Sequence, residues 1–216
     1  MAQKLAVFDF DDTLIRGQSF DAFIRFVYEK EHNLLRKMLY KLSKILIRFT
    51  TFSSKTNKYI LTRFMVGTPV TLLQCRAEEF AVFYLENKII DSVYEYLQYH
   101  IQVGDTVVIV SGGLDLYIRI FAKKHNIQYS VATQIIDSND QFKSIGIECL
   151  GHEKIDRLSQ LVDLDMFDKE NSHVYSDHLS DLPLLEYFGK PHYVAQSTAL
   201  IPDIIMKKKW DIIRYE

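Results

Sequence analysis

The stretch Val7-Phe8-Asp9-Phe10-Asp11-Asp12-Thr13-Leu14 constrains the chain more than any other, because an apolar run meets three carboxylates within four residues. The run, residues 5–10, reads as a buried strand, and in open α/β sheets ligands bind beyond the carboxyl ends of the strands. Acids crowded there repel one another unless a cation joins them, and Mg²⁺ prefers carboxylate and carbonyl oxygens. The competing reading is a polar loop with an Asx turn. Further apolar runs at residues 107–110, 131–133, 174–175 and 192–195 alternate with helix-like periodicity at 86–101, 114–125, 152–163, 181–188 and 198–207. This alternation predicts an α/β fold with a doubly wound, Rossmann-like parallel sheet. About 95 residues separate the first two strands, far more than an ordinary βα connection needs. An α-helical cap domain inserted after the first strand is therefore expected at residues 15–90, with residues 1–14 and 91–216 forming the core.

Two other predicted strands end in polar residues at the same sheet edge. Residues 107–110 run into Ser111-Gly112-Gly113, and a hydroxyl with free backbone N–H groups before a helix suits a phosphate. An ordinary Gly-rich turn is the alternative. Residues 174–175 run into Ser176-Asp177-His178-Leu179-Ser180-Asp181, which adds two acids. Asp181 could simply cap the next helix, whereas Asp177 has no such structural excuse. Lys154 opens a predicted helix, where the dipole disfavours a cation. Pairing with Asp181 or a phosphoryl group would explain it, and a surface lysine is the default. His178 reads as a neighbour of the site or as surface, because adjacent side chains diverge.

The net charge of −2 hides a strong asymmetry, since residues 33–76 carry nine basic side chains and no acid. Leu35, Met38, Leu39, Leu42, Ile45, Leu46 and Phe49 fall on one helix face there, and Lys37, Lys41, Lys44 and Arg48 on the other. Thr68 is the expected cap and Pro69 the first residue of a later helix reaching about residue 84. The basic helix reads as a solvated face, as a docking face for anionic membrane through residues 33–63, or as cap core on its apolar side. Nucleic acid is argued against by the acidic balance and the lack of a binding motif. Cys75 and Cys149 form no metal-binding or disulfide pattern, and the N-terminus has no signal-peptide pattern. No 18-residue apolar span exists to cross a bilayer, so a cytoplasmic protein, with peripheral membrane contact as an option, is expected.

Together these signals resemble the haloacid dehalogenase superfamily along the entire chain. Asp9-x-Asp11-x-Thr13 is similar to the first family motif, Ser111 to the second, Lys154 to the third and Asp177-x-x-x-Asp181 to the fourth. The insertion, VSGG and YSDHLSDLPLLEYFGKP resemble the phosphoserine-phosphatase-like subgroup. The closing Lys209-Trp210-Asp211-Ile212-Ile213 is similar to that subgroup's natural end, so a complete chain is expected. The resemblance implies a Mg²⁺-dependent phosphatase acting on a phosphorylated small molecule. Asp9 would be the nucleophile that forms an aspartyl phosphate, and Asp11 the general acid and base. Mg²⁺ would sit on Asp9, the backbone carbonyl of Asp11 and Asp177, supported by Asp181. Ser111, the Gly112 amide and Lys154 would hold the phosphoryl oxygens, and Thr13 would fix the first loop.

Departures from the subgroup point to specificity. Phosphoserine phosphatases carry Glu nine residues after the nucleophile, against the substrate amino group, where this chain has Gln18. A neutral amide cannot supply that ion pair, so phosphoserine is not the expected substrate. Ser180 stands where those enzymes typically have Asn, and Asp12 replaces a small residue with no role visible in sequence. A phospholipid or phosphoprotein phosphatase recruited by the basic cap, a phosphotransferase, and a non-catalytic membrane- or protein-binding module are the competing readings. The intact motif residues weigh against the last.

Overall fold

Continuous apolar runs become the inner strands of one sheet. The computed structural model describes residues 3–49, 51 and 53–216, without the side chains of Ser54 and Lys55. Along the chain lie β1 (Leu5–Phe8), α1 (Ser19–Glu29), α2 (Leu34–Arg48), α3 (Ser54–Thr62), α4 (Val70–Phe83) and α5 (Asp91–Val103). There follow β2 (Thr106–Leu114), α6 (Asp115–Lys124), β3 (Tyr129–Thr133), β4 (Ile135–Ser138) and β5 (Gln141–Ile145). The last part holds α7 (His152–Leu161), β6 (His173–Ser176), α8 (Leu182–Tyr187), β7 (Lys190–Gln196), α9 (Asp203–Lys208) and β8 (Asp211–Tyr215).

Six parallel strands are ordered β3-β2-β1-β6-β7-β8. The order reverses between β1 and β6, which places a topological switch point at the ends of those two strands. All four residues of β1 are buried, as expected for a central strand covered on both faces. The doubly wound α/β architecture is as the alternation predicts.

The long segment after β1 is helical. Its two backbone connections run side by side: Arg16 N–H donates to the Lys88 carbonyl (2.7 Å), and Ile90 N–H to that of Leu14 (2.9 Å). Its helices share the sheet's core, with Phe23 and Phe80 packing on Tyr117 of α6 at centroid distances of 5.2 and 5.3 Å.

Several sequence expectations are corrected. The first strand stops at Phe8, because the backbone beyond it turns so that Leu14 and Ile15 N–H both donate to the Phe10 carbonyl. Conversely, β2 continues through Ser111, Gly112 and Gly113 to Leu114, so the helix begins at Asp115. Pro69 is the cap residue rather than the first helical residue, and Thr68 instead accepts a hydrogen bond from Arg36 Nη1 (2.6 Å). The helix expected at 86–101 is shifted to Asp91–Val103, and that at 198–207 is confined to Asp203–Lys208. Unforeseen are edge strand β8 and the antiparallel β4–β5 hairpin. The hairpin joins the inserted segment through backbone hydrogen bonds between Phe142 and both Gly67 and Thr68 (2.9 Å each).

Rings of residues in register on neighbouring strands stack across the sheet: Phe8 on Tyr175 at 4.3 Å and Tyr175 on His192 at 4.5 Å. His173 Nδ1 lies 2.9 Å from His192 Nε2, and His100 bridges Asp105 (2.7 Å) and Tyr175 (2.8 Å). Burial lowers the pKa of all three histidines, to about 4 for His173 and His192, despite Asp211 near His192 and Asp105 near His100. The unfolded chain therefore binds more protons between about pH 6.5 and 4, and native stability falls as pH drops through that window. Urea midpoints at pH 7 and 5 are expected to show this loss, and His192→Gln is expected to reduce it.

Candidate active site

The loop after β1 is held by its own side chains. Asp9 is nearly buried, and its N–H donates to the Tyr175 carbonyl of β6 (2.9 Å), which fixes the nucleophile candidate between two strand ends. Asp11 Oδ1 accepts from the Ser19 N–H at the start of α1 (2.9 Å). Asp12 adopts φ +53°, a left-handed conformation that Asp tolerates better than most residues. Its carboxylate accepts from the Gly17 N–H (2.7 Å) and Gln18 Nε2 (2.8 Å). This supplies the role that sequence left blank: Asp12 closes the turn leading into α1. It also means that the Gln18 amide is engaged by Asp12 where it lines the cavity.

The β6 end is tied to the β1 loop through Thr13. Its hydroxyl donates to Asp177 Oδ1 (3.2 Å) and accepts from the Asp177 N–H (3.1 Å). Lys154, third in α7, is 1% exposed. Its ammonium donates to Asp9 Oδ1 (2.7 Å) and Asp181 Oδ2 (2.5 Å). Gly151, at φ +57° and ψ −128°, starts that helix with backbone a side chain would strain. Arg157 ties the helix down by donating to the carbonyls of Ala132 (3.0 Å) and Ile147 (2.7 Å). Ser176 Oγ adds a hydrogen bond to Asp181 Oδ2 (2.7 Å), a contact with no sequence signal.

On the β2 side, Ser111 is buried and its hydroxyl accepts from the Gly113 N–H (3.0 Å). A methyl group on Gly112 would lie 2.5 Å from Leu150 Cδ2, and one on Gly113 would lie 2.8 Å from the Tyr117 hydroxyl. At Gly113 the buried, hydrogen-bonded Tyr117 leaves no room for a side chain, whereas at Gly112 only the tip of the exposed Leu150 side chain would have to move. Tyr117 in turn receives the Leu114 N–H (2.9 Å) and shares a hydrogen bond with Ser19 (2.9 Å).

Asp9, Asp11, Ser111, Gly112, Lys154, Asp177 and Asp181 all line one cavity of about 500 Å³, as does Gln18. Thr13 stands behind it, fully buried. Sequence reasoning missed Lys58, whose ammonium reaches into the cavity wall while paired with Glu148 (2.7 Å). His178 also lines the cavity, with Nδ1 2.9 Å from Ser180 Oγ.

The electrostatics are unbalanced toward negative charge. Burial pushes Asp9 up to about 6 against the opposing pull of Lys154, and Asp11 up to about 7 against its Ser19 hydrogen bonds. Burial, reinforced by the charges of Asp9 and Asp12, raises Asp177 to about 8. For Lys154, burial disfavours the cation, yet Asp9 and Asp181 outweigh it and raise its pKa. One buried ammonium therefore faces several carboxylates that are costly to ionise. Among the described residues no three His, Cys, Asp or Glu side chains form a metal cage. Mg²⁺ does not need one, because it keeps several waters and takes one or two carboxylates. Asp9 and Asp177, both lining the cavity and both hard oxygen donors, fit that demand.

Residues 6–186 match the sequence model of the haloacid dehalogenase-like hydrolases. The chain belongs to that family. No curated protein matches it in sequence. Among solved structures, this haloacid dehalogenase-like hydrolase is similar to a protein of unknown function from Bordetella pertussis Tohama I, at 20% identity and TM-score 0.81 over 99% of both chains. It is also similar to a phospho-aspartyl intermediate analogue of phosphoserine phosphatase, at 18% identity and TM-score 0.65 over 100% of this chain and 94% of the other. A phosphoserine phosphohydrolase-like protein from Francisella tularensis subsp. tularensis SCHU S4 aligns at 22% identity and TM-score 0.61, over 99% and 95% of the two chains. The family membership and the phosphoserine-phosphatase-like fold agree with the resemblance carried by the motifs.

Proposed function

We propose that this hydrolase is a Mg²⁺-dependent phosphomonoesterase working through an aspartyl phosphate on Asp9. The observation that carries the reading is the buried Lys154 bridge between Asp9 and Asp181, set across one cavity from Ser111 and Gly112. Lys154 orients Asp9 through Oδ1, so Oδ2 is assigned the in-line attack on phosphorus. Asp11, held by the Ser19 N–H, gives its proton to the departing oxygen. In the second step Asp11 takes a proton from water as that water attacks phosphorus, the bond from phosphorus to the Asp9 oxygen breaks, and inorganic phosphate is released with the Asp9 carboxylate regenerated. Ser111, the Gly112 amide and Lys154 stabilise charge on the phosphoryl oxygens, the dominant task in phosphoryl transfer. Mg²⁺, held by Asp9, Asp177 and the Asp11 carbonyl with Asp181 in support, would neutralise phosphate charge and orient the ester.

The substrate we assign is a small phosphorylated molecule other than phosphoserine. Gln18 is neutral and committed to Asp12, so it supplies no carboxylate to a substrate ammonium, and Lys58 in the same wall is paired with Glu148. A panel of phosphomonoesters, including an aryl phosphate, is expected to show turnover that EDTA abolishes and Mg²⁺ restores. Phosphoserine should rank below phosphomonoesters that carry no ammonium group. Equal turnover with and without Mg²⁺ would overturn the metal assignment.

A further inference from the structure

The basic helix α2 is mounted with its apolar face turned outward. Leu34, Leu35, Met38, Leu42, Ile45 and Phe49 are 78, 66, 60, 58, 54 and 80% exposed. At 100° per residue these side chains share an arc of roughly 100°. The opposite side is what the protein buries. Tyr40 stacks on Tyr28 (4.2 Å) and meets Phe64 edge-on (5.2 Å), while Arg36 bonds Thr68 and pairs with Glu31 (3.4 Å). These contacts fix the helix rotation, so the expectation that the apolar face forms cap core is corrected. Lys37, Lys41, Lys44 and Arg48 run along one flank of the exposed face.

We propose that α2 is a docking face for an anionic lipid bilayer. An exposed patch of contiguous large apolar side chains marks an interaction surface. A basic flank beside an apolar arc is the composition of a helix lying in the plane of a membrane interface. Charge selects this occupant over a second copy of the chain. Residues 33–76 hold nine basic side chains and no acid, so two such faces brought together would repel, whereas anionic headgroups would neutralise the basic row as the apolar arc enters the acyl boundary. The helix has 15 residues, or about 22 Å, too short to span a hydrocarbon core of about 30 Å. No described helix is long and apolar enough to cross a membrane. Lys44, Ile45 and Arg48 also line a cavity of about 730 Å³, and Gln18 and Lys58 line both it and the catalytic cavity. The docking face thus borders a cavity that shares two wall residues with the catalytic one.

The proposal stands apart from the phosphatase assignment, and the test keeps them separate. The full chain is sedimented with vesicles of phosphatidylcholine alone and of phosphatidylcholine mixed with phosphatidylglycerol. Binding is expected only to the anionic vesicles and is expected to weaken with salt. Each Lys or Arg near such a surface raises partitioning about fivefold, so Lys37→Gln/Lys41→Gln is expected to lower it roughly 25-fold. Leu35→Gln/Met38→Gln/Leu42→Gln should abolish binding. Leu35, Met38, Lys41 and Leu42 are exposed and Lys37 is half-buried over the Tyr28 ring, and circular dichroism with aryl phosphate turnover reports that fold and site survive. No binding at low salt, or equal binding by the apolar variant, would overturn the proposal. So would a concentration-dependent dimer that the apolar variant disrupts while vesicles remain unbound.

Discussion

Asp9→Asn is expected to reduce phosphomonoester turnover by more than about 10⁴-fold, the scale on which removal of a covalent nucleophile acts. An amide oxygen is a poor nucleophile and cannot form the acyl phosphate with the same ease. The substitution is nearly isosteric and keeps an oxygen toward Lys154, whose second partner, Asp181, is unchanged. The fold should therefore survive, and near-native circular dichroism with lost turnover separates chemistry from unfolding. Retained turnover within tenfold of wild type would remove Asp9 from the nucleophile role.

Lys154→Met is expected to damage both stability and rate. The ammonium is 1% exposed and contacts two carboxylates. Removing one partner of a buried ionic network typically costs about 3–5 kcal/mol, because the partners stay buried without compensation. Turnover should fall at least about 10²-fold if, as proposed, the lost ammonium is a donor to the phosphoryl oxygens. Asp181→Asn in the Lys154→Met background is expected to cost less than it does alone, because the carboxylate it removes has lost its cation. Urea unfolding of the four proteins in that cycle measures a coupling of about 0.5–3 kcal/mol if the bridge is as described. Additive effects would show that Lys154 and Asp181 act independently.

The gathering of the candidate-site residues in one cavity was legible because they announce themselves locally. Asp9, Ser111 and Asp177 each follow an apolar run, and a parallel sheet must bring such strand ends together. Lys154 was legible for the opposite reason, as a cation at the wrong end of a helix, and a two-carboxylate bridge resolves the anomaly. What sequence could not reveal depends on backbone angles and long-range packing. The turn-closing role of Asp12 requires φ +53°, and only then does its carboxylate reach Gly17 and Gln18. The β4–β5 hairpin was hidden by short, polar strands that bury little beyond Phe142 and Ile145. Periodicity marked the apolar stripe of α2 but not its direction. The Tyr28–Tyr40–Phe64 cluster turns that stripe to solvent, and its three members are spread over three separate segments.

The central claim is the covalent step, and acid quenching of the Mg²⁺-loaded enzyme during turnover of a fast substrate tests it most directly. Peptide mass analysis is predicted to find one phosphoryl group on Asp9, labile to hydroxylamine as an acyl phosphate is, and absent from Asp9→Asn. Efficient turnover with no trapped phosphoryl group, or with the group on another residue, would contradict the account.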